Sequence, residues 1–161
     1  MPNWCSCDLF VHGSTKNRDL VVKTVEGNED SCSVFDFNKI LPMPSILENT
    51  VSPTDGLARS KQAFAETGHT DWYSWCRDNW GTKWNATGAG LIRMKTVDKF
   101  KFETAWAPPA PVILALSKLF PENTFTLKYY ERGMQFKGIY RVKNGTIILA
   151  ATSRYEGKRG G

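Results

Sequence analysis

The side chains best suited to chemistry are four cysteines and two histidines, and their spacing does not complete a site. Cys5-Ser6-Cys7 would place two thiols on one face of a strand, and thiolates are zinc ligands. Zinc sites usually draw their other ligands from paired spacings. The remaining candidates instead follow at irregular distances: Cys32, Cys76, His12 and His69. We therefore expect reduced thiols, no metal site and no cofactor.

One histidine lies in half of a known catalytic motif. Phosphodiesterases of the two-histidine class use two H-x-[ST] motifs, one histidine acting as base and the other as acid. His12-Gly13-Ser14 fits that pattern, but His69-Thr70-Asp71 does not supply the second copy. An enzyme acting on a nucleotide or phosphodiester would combine His12 and Ser14 with Glu131 or Asp8. The sequence also has no phosphate-binding G-x-x-x-x-G-K-[ST] loop, so we expect binding rather than catalysis.

Aromatic and basic residues offer a different kind of site. Six tryptophans are interleaved with lysines and arginines, a combination that can stack bases and neutralise phosphates. Trp75 and Trp80 lie at helical spacing and are expected to pack a helical segment against a sheet. Lys83 and Trp84 follow the helix stop at Gly81 and are expected to be exposed. The candidate binding residues are Thr82, Lys83, Trp84, Trp106, Tyr130 and Glu131.

The bulk properties suit one globular domain, and its mildly basic charge permits contact with a polyanion without demanding it. The 161 residues are 41% hydrophobic and 23% charged, with a net charge of +5, which permits contact with nucleic acid. No stretch approaches the roughly 18 consecutive apolar residues of a membrane helix, and the N-terminus does not resemble a signal peptide. We expect a cytoplasmic protein without membrane contact.

Hydrophobic periodicity predicts an α+β fold. The pattern reads as β-α-β, a helical insert over about residues 45–90, and then β-α-β-β-β, in a single domain over residues 1–161. This order favours an antiparallel sheet with helices on one face. The predicted strands are Trp4–Val11, Ser31–Phe37, Lys99–Trp106, Phe125–Glu131, Met134–Val142 and Thr146–Ser153. The predicted helices follow Ser14 or Thr15, cover Leu57–Glu66, run from a Thr70 cap to Trp80, and cover Val112–Phe120.

Three local features refine this prediction. Asn144-Gly145 favours a type I′ hairpin between the last two strands. Asn85 to Gly90 is expected to form a turn. Alternation places Trp106 on the same face of its strand as Phe100 and Phe102, with the lysines between them on the other face.

Several unusual strings together resemble the YubB-like proteins of phages and conjugative plasmids. The strings are spread over nearly the whole chain: Met1–Cys5, Phe37–Pro44, Asn79–Trp84, Thr104–Pro111 and Tyr130–Gly138. Two positions depart from that family, since Cys7 stands where it often has Asn and Asp78 where Glu is common. The resemblance implies a ferredoxin-like domain and brings no catalytic residues with it.

The resemblance also implies an origin in a mobile genetic element. Such genes often encode inhibitors of host defence, so we expect an accessory protein that binds a host protein, a nucleic acid or a nucleotide signal. A further alternative is RNA or single-stranded DNA binding on an open sheet face, as in ferredoxin-like RNA binders. The aromatic string of those binders is absent, and Phe100 and Phe102 are expected in the core.

Overall fold

A computed structural model describes residues 3–28, 33–54 and 56–157. The strands are β1 Trp4–His12, β2 Thr87–Arg93, β3 Val97–Ala105, β4 Thr124–Glu131, β5 Phe136–Lys143 and β6 Thr146–Arg154. The helices are α1 Thr15–Val25, α2 Ala58–Thr67, α3 Trp72–Asn79 and α4 Ala110–Leu119, with short 3₁₀ turns at Phe37–Lys39 and Ser45–Leu47.

The six strands form one antiparallel sheet in the order β2-β3-β1-β4-β5-β6. The first strand of the chain therefore lies at the centre, hydrogen-bonded to β3 on one side and β4 on the other. Its residues alternate between buried and half-exposed positions, with Cys5, Cys7, Leu9 and Val11 buried. This alternation places a core on one face of the sheet only.

The helices cover that one face, which confirms the predicted α+β class. Val21 and Val25 of α1 join the same buried cluster as Leu9 of β1, and so do Ile113 and Leu116 of α4. The opposite face, which we call the open face, carries the half-exposed residues of β1: Trp4, Ser6, Asp8 and Phe10.

The helical insert packs on the covered face as well, through aromatic rings. The Phe35 ring stacks on Phe102 of β3 with centroids 5.0 Å apart. Phe37 meets the Trp80 ring at 5.7 Å, and Trp80 meets Trp75 at 5.5 Å. Trp75 and Trp80 therefore pack the insert onto the sheet, as expected from their spacing.

The predicted strand Ser31–Phe37 is wrong over its described part. Residues 33–36 form no strand and Phe37 opens a 3₁₀ turn, while Ser31 and Cys32 lie outside the described residues. The edge position beside β3 is taken by β2. Phe35 instead lies over the sheet, where its side chain is fully buried.

Residues 87–90, predicted as part of a turn, belong to β2. The register of β2 with β3 shifts between Thr87 and Gly90, and Gly88 has a φ of +60°. Glycine and a β-bulge both weaken the pattern by which a strand is recognised in a sequence. The strand forms because β3 has a free edge to pair with.

The predicted hairpin turn is confirmed, whereas the cap of α3 is not the predicted residue. Asn144 and Gly145 have φ of 46° and 70°, as a type I′ turn requires. Asp71, rather than Thr70, caps α3, because its carboxylate accepts a hydrogen bond from the Ser74 N–H at 2.9 Å.

Candidate binding surface

The ammonium group of Lys83 lies over four aromatic rings. Its Nζ is 4.5 Å from the ring centroid of Trp84 and 5.3 Å from that of Trp106. The rings of Tyr73 and Trp72 lie at 5.6 and 6.0 Å. These distances fall within the range of cation–π attraction. We call these five residues the Lys83 cluster.

Three separate segments bring the Lys83 cluster together. The first turn of α3 contributes Trp72 and Tyr73, and the loop after α3 contributes Lys83 and Trp84. Gly81 starts that loop with a φ of +77°, and a Cβ there would lie 2.9 Å from Cδ of Pro111. The close approach to Pro111 therefore requires glycine, and it fixes the loop against the start of α4.

Trp106 reaches the cluster because the chain turns sharply after β3. Its φ is +69°, and its N–H donates to the carbonyl of Asn3 at 2.9 Å. The prediction that Trp106 shares a face with Phe100 and Phe102 is wrong, since those two rings are buried and Trp106 is 37% exposed. The left-handed backbone ends the alternation of the strand and turns the ring outward.

Two of the candidate binding residues have buried side chains with intramolecular partners. Thr82 Oγ1 donates to the carbonyl of Ala105 at 2.8 Å. The Glu131 carboxylate accepts from the N–H groups of Gly133 and Met134 at 2.6 and 2.5 Å. These bonds hold the loop of the Lys83 cluster and the β4–β5 turn in place.

Tyr130 stands on the open face, and its neighbour Tyr129 on the covered face. The Tyr130 ring stacks on Tyr155 with centroids 5.2 Å apart and an interplanar angle of 9°. The Arg132 guanidinium lies 6.0 Å from the Tyr130 centroid. On the open face of β1, Trp4 meets Trp84 at 6.1 Å, which connects the Lys83 cluster to the open face.

The open face is basic. The register sets Asp8 opposite Lys101 of β3 and Lys128 of β4, and sets Phe10 opposite Lys99. Extended along β5, the same register gives six cations and two acids among the strand residues of this face. The cations are Lys99, Lys101, Lys128, Lys137, Arg141 and Lys143; the acids are Asp8 and Glu103.

Two hollows on the open face share part of their walls. One, of about 160 Å³, is lined by Ser6, Cys7, Asp8, Gly88, Lys101, Phe102, Glu103, Lys128 and Tyr130. The other, of about 490 Å³, is lined by Asn3, Trp4, Ser6, Glu103, Tyr130 and Arg132 with the β4–β5 turn. Together they form a groove from Trp4, which contacts Trp84 of the Lys83 cluster, to the centre of the sheet.

The residues of the phosphodiesterase alternative lie apart. His12 is opposite Thr124 on β4, whereas Glu131 is opposite Cys5, so about 23 Å of strand separates them. The Ser14 hydroxyl accepts from the Asn17 N–H and caps α1. His69 contacts Asp78 instead. Partial burial and the nearby charge of Arg141 lower the pKa of His12, which favours its neutral form.

The cysteines of the described residues are buried. Cys5 and Cys7 point into the core from β1 and Cys76 from α3, while Cys32 lies outside the described residues. Burial raises the pKa of Cys7 well above its usual range, and it raises the pKa of Cys76 to about 12. Protonated thiols are poor nucleophiles and metal ligands. Within residues 3–28, 33–54 and 56–157, no three histidine, cysteine or acidic side chains group as metal ligands would.

Sequence reasoning missed several residues of this surface. Tyr73 joins the Lys83 cluster, and Trp4 and Phe10 carry aromatic rings on the open face. Alternation along β1 was the available signal for Trp4 and Phe10, since both alternate with core residues. The pairing of Lys101 and Lys128 around Asp8 had no local signal, because it depends on which strands are neighbours.

Comparison with known proteins supports the fold. Residues 79–158 match the family model described as a ferredoxin-like domain in Api92-like protein. The crystal structure of protein api92 from Yersinia pseudotuberculosis has a TM-score of 0.60 to this chain, at 9% sequence identity. That match covers 98% of this chain and 99% of the other.

Two further findings concern curated proteins and membrane-spanning helices. No curated protein matches the sequence. The described part of the chain has no helix with the length and apolar character needed to span a bilayer. Because the sequence identity to api92 is only 9%, that structural similarity shows a shared fold and nothing about function. Residues 79–158 are therefore similar to the ferredoxin-like domain described for Api92-like proteins.

Proposed function

We propose that this chain is a phage or plasmid accessory protein that binds single-stranded nucleic acid on its open face. The observation that carries the proposal is a sheet face left free by the described helices, which holds six cations together with the rings of Trp4, Phe10 and Tyr130. The resemblance to YubB-like proteins supports the mobile-element origin. An inhibitor of host defence would use the same surface to hold its target.

Electrostatics favours a polyanion. The six cations of the open face outnumber its two strand acids, so a phosphate chain would gain attraction along the whole groove. None of the six forms an ion pair within the described residues. Their charges therefore stay available to phosphates instead of being neutralised within the protein.

The rings favour unpaired bases. Trp4 and Phe10 are six residues apart on β1, about 20 Å along the strand, and Tyr130 lies between them opposite Ser6. Each is half-exposed. Exposed rings stack on the flat faces of bases, which are accessible in single strands and hidden in a duplex.

A charge-reversal pair tests this proposal. Anisotropy of fluorescein-labelled 20-nucleotide DNA and RNA, single-stranded and duplex, would be measured with the Lys101→Glu/Lys128→Glu variant. We expect the unchanged protein to prefer single strands and the variant to bind them at least about 10-fold more weakly, since two phosphate contacts become repulsive.

The matched control is Lys23→Glu/Lys61→Glu, which makes the same change in net charge on the exposed surfaces of α1 and α2. It should keep most of the affinity. Equal weakening by both variants would show that only net charge matters, and absence of binding by the unchanged protein would overturn the proposal.

A host protein is the second candidate for a partner, favoured by the Lys83 cluster. Trp84 and Trp106 are each 37% exposed, and exposed tryptophans are frequent anchors of protein interfaces. Trp84→Ala would then abolish capture of a defined host protein and leave nucleic-acid binding by the groove largely intact. Loss of nucleic-acid binding in that variant would assign the cluster to the nucleic acid.

A further inference from the structure

We infer that the smaller hollow of the open face is a base pocket that selects guanine. The inference rests on the proposed function for its biological meaning, because it names the base that the groove would recognise. The same chemistry would take guanine from a strand or from a free nucleotide.

The dimensions fit one flat group. The hollow measures about 160 Å³, below the roughly 300–1,000 Å³ of pockets that hold drug-sized ligands. Tyr130 forms one wall, and the face of its ring that Tyr155 does not cover can stack on a base. Trp4 lines the larger hollow and contacts Trp84 of the Lys83 cluster, so a neighbouring nucleotide in that hollow would lie beside the cluster.

The polar side chains of this pocket are free to bind a ligand. Asp8 lies between Lys101 and Lys128 on adjacent strands. Nevertheless, no hydrogen bond or ion pair joins these three side chains to each other or to another residue of the described part. The only side-chain bond within the pocket is a long one, from Ser6 Oγ to Glu103 Oε1 at 3.5 Å.

Guanine can hydrogen-bond both to the negative and to the positive side chains of this pocket. Its N1–H and N2–H₂ groups are adjacent donors, and O6 and N7 are adjacent acceptors. The Asp8 carboxylate can accept from the two donors, and a lysine from either side can donate to O6 and N7. Adenine would turn the N1 lone pair toward the carboxylate, and uracil has no amino group to offer it. Each would leave a charged group unpaired.

Titration with the four nucleoside monophosphates tests the inference. Isothermal calorimetry of the full chain would compare GMP, AMP, CMP and UMP, which share the phosphate and differ in the base. We expect GMP to bind at least about 10-fold more tightly than AMP or UMP, the discrimination of one bidentate pair. Asp8→Asn should reduce GMP affinity to the level of AMP.

The control variant is Glu122→Gln, which removes an exposed carboxylate from the α4–β4 connection and should leave GMP affinity unchanged. Equal affinities for the four nucleotides, or GMP binding that survives Asp8→Asn, would overturn the pocket. If 20-nucleotide single strands with and without guanine bind equally well, the guanine pocket is refuted but the proposed function is not. GMP bound specifically by a protein that ignores 20-nucleotide strands would support the pocket and refute the proposed function.

Discussion

At the scale of single residues, the backbone of Trp106 has a left-handed conformation that residues other than glycine rarely adopt. Its φ of +69° costs a residue with a Cβ about 1–2 kcal/mol relative to the right-handed region. The strained backbone orients the Trp106 ring toward Lys83, and backbone strain of this kind often occurs at functional positions.

Two substitutions separate backbone strain from the role of the ring. The free energy of unfolding, measured in urea, should be about 0.5–1 kcal/mol higher for Trp106→Gly than for Trp106→Ala. The reason is that glycine relieves the backbone strain by more than its greater conformational entropy in the unfolded chain costs. Both variants lose the ring and should bind a partner of the Lys83 cluster equally weakly. A Trp106→Ala protein that is the more stable of the two would contradict this account.

Glu131 acts on stability through the turn after β4. Its carboxylate is buried and accepts two backbone N–H groups, from Gly133 and Met134. Glu131→Gln should lower the unfolding free energy by about 1–3 kcal/mol, since charge-assisted bonds are replaced by weaker ones. Urea denaturation measures the change. The exposed Glu122→Gln should stay within about 0.5 kcal/mol of the unchanged protein, and equal effects of the two would refute the assigned role.

At the scale of elements, a buried ion pair joins α1 to β3. Arg18 Nη1 donates to Asp98 Oδ1 at 2.7 Å, with the two side chains 3% and 0% exposed. Arg18 also donates to the carbonyls of Met94 and Lys95, both at 3.1 Å. The guanidinium therefore fixes the β2–β3 turn against the first helix, and with it the edge of the open face that carries Lys99.

Breaking that pair should be costly because it leaves a buried charge. Asp98→Asn is expected to lower the unfolding free energy by about 3–5 kcal/mol, measured by urea denaturation. Asp19→Asn is the control, since Asp19 pairs with Arg93 at the surface and exposed pairs contribute about 0–1 kcal/mol. A loss for Asp98→Asn no larger than that for Asp19→Asn would contradict the role assigned to the buried pair.

At the scale of the whole molecule, the central position of β1 makes the open face continuous. The strand lies between β3 and β4, which both belong to residues 79–158, the segment that matches the ferredoxin-like domain model. It brings Trp4, Asp8 and Phe10 into the middle of a basic surface contributed by later strands. The binding surface therefore depends on both ends of the chain.

The charge of this surface predicts a steep dependence on salt. If all six cations of the open face contact phosphates, the logarithm of the association constant should fall with the logarithm of salt at a slope of about −4, because each contact contributes roughly −0.7 for single strands. Anisotropy from 50 to 200 mM NaCl measures it. A slope near zero would contradict binding through the open face and favour contact with a partner through the rings.

Local patterns predicted much of the fold. Alternation marked β1 and β3, because a strand with one buried face repeats every two residues whatever its neighbours are. The three strands predicted after the last helix correspond to β4, β5 and β6. The glycine requirement of a type I′ turn likewise identified the hairpin at Asn144-Gly145. By contrast, β2 and the segment around Phe35 depended on which edge of β3 was free, and no local pattern carries that information.

The same division holds for the binding surface. The sequence by itself determined that lysines alternate with core residues along β3, and that Lys83 and Trp84 follow a helix stop. Only the tertiary structure decided that Lys83 lies among four rings from three segments, that Thr82 and Glu131 are buried, and that Asp8 stands between Lys101 and Lys128. Alternation is a property of the backbone of one strand, whereas strand order and the face that the helices cover arise from contacts between residues far apart in the chain.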